Sequence, residues 1–142
     1  MWEIVKIVGI YLFLLLCSWQ DIREKKLSVK MLFLFGISFL GLSLLFEQMS
    51  FGRRIVNVLP GAVAFVLAFL TGEQIGYGDA ACLVILGSMV SADLLVGAVL
   101  GGLLLLSTWS IVLLVRKRAD RKTTMPFMPF LTVGMLWQMA VR

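Results

Sequence analysis

The chain has 142 residues, of which 61% are hydrophobic and 15% are charged. A soluble domain has about 45–50% apolar and about 25% charged residues, so this composition excludes an ordinary soluble domain and indicates an integral membrane protein. The formal net charge is +5, but the basic residues lie between apolar segments, where they orient helices and attract lipid head groups rather than nucleic acid. Histidine is absent, which excludes Ser-His and Cys-His dyads and the HExxH zinc motif.

Apolar segments follow one another along the chain, at residues 4–19, 31–46, 55–71, 80–90, 94–115 and 127–141. Because these runs are long and do not alternate, we predict an all-α integral membrane protein, a bundle of about six transmembrane helices in one domain, residues 1–142. The fourth segment is short, so its helix either extends into residues 87–91 or begins inside the membrane at Asp79. Short connections predict antiparallel neighbours. The GxxxG spacing of Gly97 and Gly101 predicts close packing inside the bundle rather than dimerisation.

The basic residues indicate how the helices are oriented in the membrane. Nine of the 13 lysines and arginines lie in loops one and five, and loop three carries none. Because basic loops are retained in the cytoplasm, loops one, three and five are predicted to be cytoplasmic. Both termini are then outside, in a multi-pass protein of the inner or plasma membrane of the cell.

This topology brings two aspartates to the same face of the membrane. Asp21 ends the first helix, and Asp79 begins the fourth after the run Gly76-Tyr77-Gly78. Two carboxyls in one site do not ionise together easily, so one keeps a proton while the other can take a proton from water. Aspartic proteases use this arrangement, and we therefore expect no metal and no cofactor. Alternatively, Asp79 is only a helix N-cap and Asp21 a solvated charge at the membrane surface.

The remaining candidate residues have simpler interpretations. Asp93 is interpreted as the cap of the fifth helix, and Asp120, between two arginines, as a salt-bridged loop residue. Glu73 lies close in sequence to the second aspartate and could line the same pocket. Cys17 and Cys82 have no CxxC partner, so we interpret both as buried small hydrophobic residues.

Three segments of the chain resemble motifs of the aspartic prepilin peptidases, the membrane enzymes that trim type IV pilin-like precursors. The segments are Asp21-Ile22-Arg23-Glu24-Lys25-Lys26-Leu27, the GxGD match Gly76-Tyr77-Gly78-Asp79, and Pro126-Phe127-Met128-Pro129-Phe130-Leu131. GxGD alone is a weak signal, whereas the order and spacing of all three on a six-helix frame are fairly specific. The chain departs from the family at Ser28-Val29, where Pro-Asn is usual, and at Ala81, where lysine is frequent.

The resemblance implies that Asp21 and Asp79 are catalytic and that Gly76, Tyr77 and Gly78 shape the active site. It implies a membrane-inserted prepilin-like substrate, whose short basic leader is cut on the cytoplasmic side just before its apolar helix. Large family members carry paired CxxC motifs linked to methylation. This sequence has none, so it resembles the short peptidase-only members, such as those serving tight-adherence (Flp-type) pili, and methyltransferase activity is not expected. The oligomeric state stays open.

A second interpretation assigns the same carboxylates to proton transfer. Acidic residues that face the membrane interior also serve as proton relays. The chain would then be a small proton-coupled transporter or a subunit of a membrane complex. This alternative predicts proton-linked flux in vesicles and no proteolysis.

Overall fold

The computed structural model describes residues 1–72, 76–117 and 125–142. These residues form six helices and no strand: α1 (Trp2–Glu24), α2 (Val29–Phe46), α3 (Phe51–Leu70), α4 (Tyr77–Gly87), α5 (Ala92–Val115) and α6 (Met128–Val141). The predicted all-α bundle of about six helices is therefore confirmed. Two carboxylates considered in the sequence, Glu73 and Asp120, lie outside the described residues.

Four of the described helices, α1, α2, α3 and α5, are long and apolar enough to cross a membrane. The other two are shorter, with 11 residues in α4 and 14 in α6. At 1.5 Å per residue, α4 is about 16 Å long, roughly half the thickness of the hydrocarbon core. It ends at Gly87 and does not extend through residues 88–91, and it begins two residues before Asp79.

Glycines let the backbones of neighbouring helices approach closely at two interfaces. A Cβ placed on Gly61 of α3 would lie 2.5 Å from a backbone nitrogen of α4. A Cβ on Gly134 of α6 would lie 2.9 Å from the backbone nitrogen of Gly102 in α5. Gly97 and Gly101 also face α6, where their added Cβ atoms would meet a glutamine side chain and Gly134. The GxxxG spacing therefore serves packing inside the bundle, as predicted.

One end of the bundle gathers the end of α1 and the starts of α4 and α6. Leu27, which follows α1, packs against Gly78 in the first turn of α4. Met128, the first residue of α6, donates its backbone N–H to Asp21 in the last turns of α1. We call this end, where the helices flanking loops one, three and five meet, the site end.

Polar contacts hold the opposite end together. Lys6 near the start of α1 forms an ion pair with Glu47, which follows α2. Arg54 of α3 donates a hydrogen bond to the carbonyl oxygen of Glu47 at 2.7 Å. Asn57 Oδ1 of α3 accepts a hydrogen bond from the backbone nitrogen of Ala92, the first residue of α5, at 3.1 Å. Neighbouring helices therefore run antiparallel, as the short connections predicted.

Candidate active site

Asp21 lies on the buried face of α1, close to the end of the helix. The buried side chains of α1 recur at helical spacing, and Asp21 is the last of them: Ile10, Phe13, Leu14, Cys17, Ser18 and Asp21. α1 ends just beyond it, where Lys25 adopts a left-handed conformation (φ 53°) and donates its backbone N–H to the Asp21 carbonyl at 3.0 Å. The Asp21 side chain is thus the one carboxylate on the apolar stripe that α1 packs into the bundle.

A hydrogen bond from α6 holds the Asp21 carboxyl. Its Oδ2 accepts the backbone N–H of Met128 at 3.1 Å, and Asp21 is only 8% exposed. Met128 begins α6, so its N–H is one of those that a helix leaves without an internal partner. The positive end of the α6 dipole favours negative charge at this position. The start of α6 therefore fixes the position of Asp21 and provides an environment suited to a carboxylate.

Asp79 lies in the first turn of α4, and it is half-buried. The N-cap of α4 is Gly76, so the interpretation of Asp79 as the N-cap is wrong. Its carboxyl turns back over the start of the helix, because a Cβ placed on Gly76 would lie 3.3 Å from Asp79 Oδ2. A carboxylate is favoured in the first helical turn by the unpaired N–H groups and the dipole, so this position suits Asp79 without making it the cap.

A contact between α1 and α4 brings the two aspartates together. The Sγ atoms of Cys17 and Cys82 are 3.5 Å apart, and both thiols are buried. Cys17 precedes Asp21 by four residues and Cys82 follows Asp79 by three, so each cysteine shares a helix face with its aspartate, one turn away. Through this contact the last turns of α1 and the first turn of α4 lie side by side, which places both aspartates at the site end. The convergence that helix counting predicted is therefore present.

The residues before Asp79 each have a defined place at the site end. Gly76 lies beneath the Asp79 carboxyl, as described above. The Tyr77 ring packs against Phe65 of α3, with ring centroids 6.3 Å apart. A Cβ on Gly78 would lie 3.1 Å from Leu27 Cβ, so a larger residue there would push the start of α4 away from the α1–α2 connection. Together these residues set the position of the α4 N-terminus.

Two buried hydroxyls near Asp21 were not anticipated from the sequence. Ser18 Oγ and Thr132 Oγ1 are hydrogen-bonded at 2.8 Å, and Thr132 Oγ1 also donates to the Met128 carbonyl oxygen at 2.9 Å. These bonds tie α1 to α6 one turn from Asp21 and support the Asp21–Met128 contact. The sequence did contain a signal for them, because Ser18 and Thr132 are polar residues in apolar helices, and a buried polar side chain needs a hydrogen-bond partner.

Asp93 lies away from this site. It is exposed in the first turn of α5, at the opposite end of the bundle, and the N-cap of α5 is Ser91. The interpretation of Asp93 as the cap is therefore wrong. Among the described residues, no group of three or more His, Cys, Asp or Glu side chains could hold a metal ion.

Comparison with known proteins places the chain in a family. The model of the type IV leader peptidase family matches residues 8–115, which is most of the chain and includes both Asp21 and Asp79. The proline-containing segment at residues 126–131 lies beyond the match. No curated protein and no solved structure matches the chain. The family match covers more than half of the sequence, and the described residues include four helices that are long and apolar enough to cross a membrane. This membrane protein therefore belongs to the type IV leader peptidase family.

Proposed function

We propose that the chain is a membrane aspartic endopeptidase that removes the short basic leader of type IV or Flp-type prepilins on the cytoplasmic side of the membrane. Membership of the leader peptidase family supports a peptidase in general. The observation that carries the aspartic mechanism is the convergence of Asp21 and Asp79 beside the Cys17–Cys82 contact. The chain contains no histidine, and this pair requires none.

In the proposed mechanism the two carboxyls share one proton. The ionised carboxyl takes a proton from a water molecule, which attacks the peptide carbonyl, while the protonated carboxyl donates a hydrogen bond to the carbonyl oxygen. The tetrahedral intermediate then collapses, and the amide nitrogen leaves with a proton from the pair. In this mechanism the proton belongs to the pair, so it is assigned to neither Asp21 nor Asp79.

The distribution of charge supports cleavage on the cytoplasmic side. Six described basic residues belong to the segments at the site end: Arg23, Lys25, Lys26, Lys30, Arg116 and Lys117. The opposite end has four: Lys6, Arg53, Arg54 and Arg142. The positive-inside rule then orients the site end toward the cytoplasm and both termini away from it. A leader that stays in the cytoplasm would reach Asp21 and Asp79 without crossing the membrane.

Co-expression with a pilin precursor tests the proposal. Asp21→Asn and Asp79→Asn should each reduce cleavage by about 1,000-fold or more, because either change removes a carboxyl that cannot be replaced by its partner. Asp93→Asn is the matched control, since Asp93 is also in the first turn of a helix but is exposed at the opposite end. Undiminished cleavage by either site variant would refute the catalytic pair. Proton-linked flux in vesicles without any proteolysis would favour the transporter alternative.

A further inference from the structure

An apolar crevice runs along the bundle between α2 and α3, with α4 as its floor. It consists of two adjoining cavities of about 790 and 740 Å³, which share Leu40, Val58 and Ser88. Ile37 of α2 and Val84 of α4 are among the side chains of the first cavity. We call the two cavities together the α2–α3 crevice.

The crevice begins beside the catalytic pair. Leu27, Tyr77 and Gly78 line its first cavity, and Gly78 is adjacent in sequence to Asp79. The second cavity reaches the opposite end of the bundle, where Glu47 and Arg54 line it. The crevice therefore extends from the site end to the far end of α2.

Its dimensions suit a membrane-spanning helix. α2, which forms one wall, has 18 residues and is about 27 Å long, close to the thickness of the hydrocarbon core of about 30 Å. Gly36 and Gly41 lie on the surface of α2 that lines the crevice, and neither adds a side chain to it. A Cβ on Gly41 would meet nothing within 4 Å. Small residues on a helix surface allow another helix backbone to approach in a membrane.

We propose that the α2–α3 crevice binds the apolar helix that follows the cleaved bond of the substrate. The inference rests on the proposed function: a precursor cut between its leader and its apolar helix must place the start of that helix within a few residues of Asp79. In the described part of the chain, the crevice is an apolar surface that begins at this point and extends along α2, a helix with the length of a membrane span. A lipid chain would cover the same apolar walls, but it would bring no peptide bond to the aspartates.

Photo-crosslinking tests where the substrate helix lies. A benzophenone amino acid is introduced at Ile37, which lines the crevice, or at the control position Ser38. Ser38 is exposed and lines neither cavity, because its side chain points about 100° away from that of Ile37 around the helix. The variants also carry Asp79→Asn so that precursor remains uncut. The Ile37 probe should cross-link the precursor at least about tenfold more than the Ser38 probe. Equal cross-linking from both positions, or cross-links from Ile37 only to lipid or to a second copy of the chain, would overturn the proposal.

Filling the crevice gives an independent measurement. Gly41→Phe should raise the KM for membrane-inserted precursor at least about tenfold and leave kcat within about twofold, because only binding is removed. Gly52→Phe is the control, since a Cβ on Gly52 also meets nothing within 4 Å but Gly52 lines neither cavity. An unchanged KM for Gly41→Phe would count against the crevice as the docking site.

The two proposals fail in different ways. If the unmodified chain cleaves no precursor, the proposed function is wrong, whatever the cross-links show. If the unmodified chain cleaves precursor but Ile37 gives no preferential cross-link to it, the peptidase assignment stands and the docking site is wrong.

Discussion

The contact between α3 and α4 allows the position of Asp79 to be perturbed from a distance. A Cβ on Gly61 would lie 2.5 Å from the backbone nitrogen of Val84. Restoring an ordinary contact of about 3.4 Å requires the two helices to separate by about 0.9 Å. Gly61→Ala should therefore cost about 1–3 kcal/mol of stability through overpacking. Because α4 carries Asp79, a shift of about 1 Å should also reduce cleavage by up to about 100-fold.

Gly101→Ala is the matched control for this prediction. Its added Cβ would lie 3.7 Å from Gly134, an ordinary contact, and it gains the same helix propensity of about 1 kcal/mol as the Gly61 variant. The difference in stability between the two variants, measured by thermal unfolding of the purified protein, then gives the cost of overpacking alone. Precursor cleavage by the same samples gives the effect on the active site. Equal stability and equal cleavage in the two variants would refute the reasoning.

Two further predictions concern the groups at the site. The rate of cleavage should rise and then fall with increasing pH, because in the proposed mechanism the Asp21–Asp79 pair is active with one proton and inactive with two or none. A rate that is constant from about pH 4 to pH 9 would contradict the shared proton. The thiols of Cys17 and Cys82 are buried and have no step in the mechanism, so the double variant Cys17→Ala, Cys82→Ala should keep cleavage within about threefold, with a stability loss of about 1–2 kcal/mol from the deleted atoms. A loss of cleavage similar to that of the aspartate variants would implicate the thiols directly.

The helices themselves could be predicted from the sequence, although their ends could not. The first apolar segment, residues 4–19, became a helix that continues to Glu24, and the third, residues 55–71, begins earlier, at Phe51. Hydropathy marks the part of a helix that lies in hydrocarbon, whereas the hydrogen-bonded backbone continues into the charged interface. For this reason Asp21, which was predicted to end the first helix, lies within α1, three residues before its last residue, Glu24.

The caps were predicted incorrectly for a related reason. Asp79 and Asp93 are residues that favour N-caps, yet the chain enters the helix earlier, at Gly76 and Ser91. A carboxylate in the first turn interacts favourably with the same unpaired N–H groups as a cap does. Residue type therefore indicates that a helix starts nearby, but the backbone determines which residue is the cap.

The sequence by itself determined that the chain is a membrane bundle and that Asp21 and Asp79 reach the same end of it. The first conclusion follows from the composition and the long apolar segments. The second follows from the number of apolar segments between the two residues, which does not depend on how the helices pack. Only the tertiary structure decided that Met128 holds Asp21 and that a crevice opens between α2 and α3. α2 and α5 are apolar on all sides, so no hydrophobic stripe marks the buried face. Between α3 and α4 and between α5 and α6, the pairing depends instead on where glycines allow two backbones to meet, which requires both partners to be known.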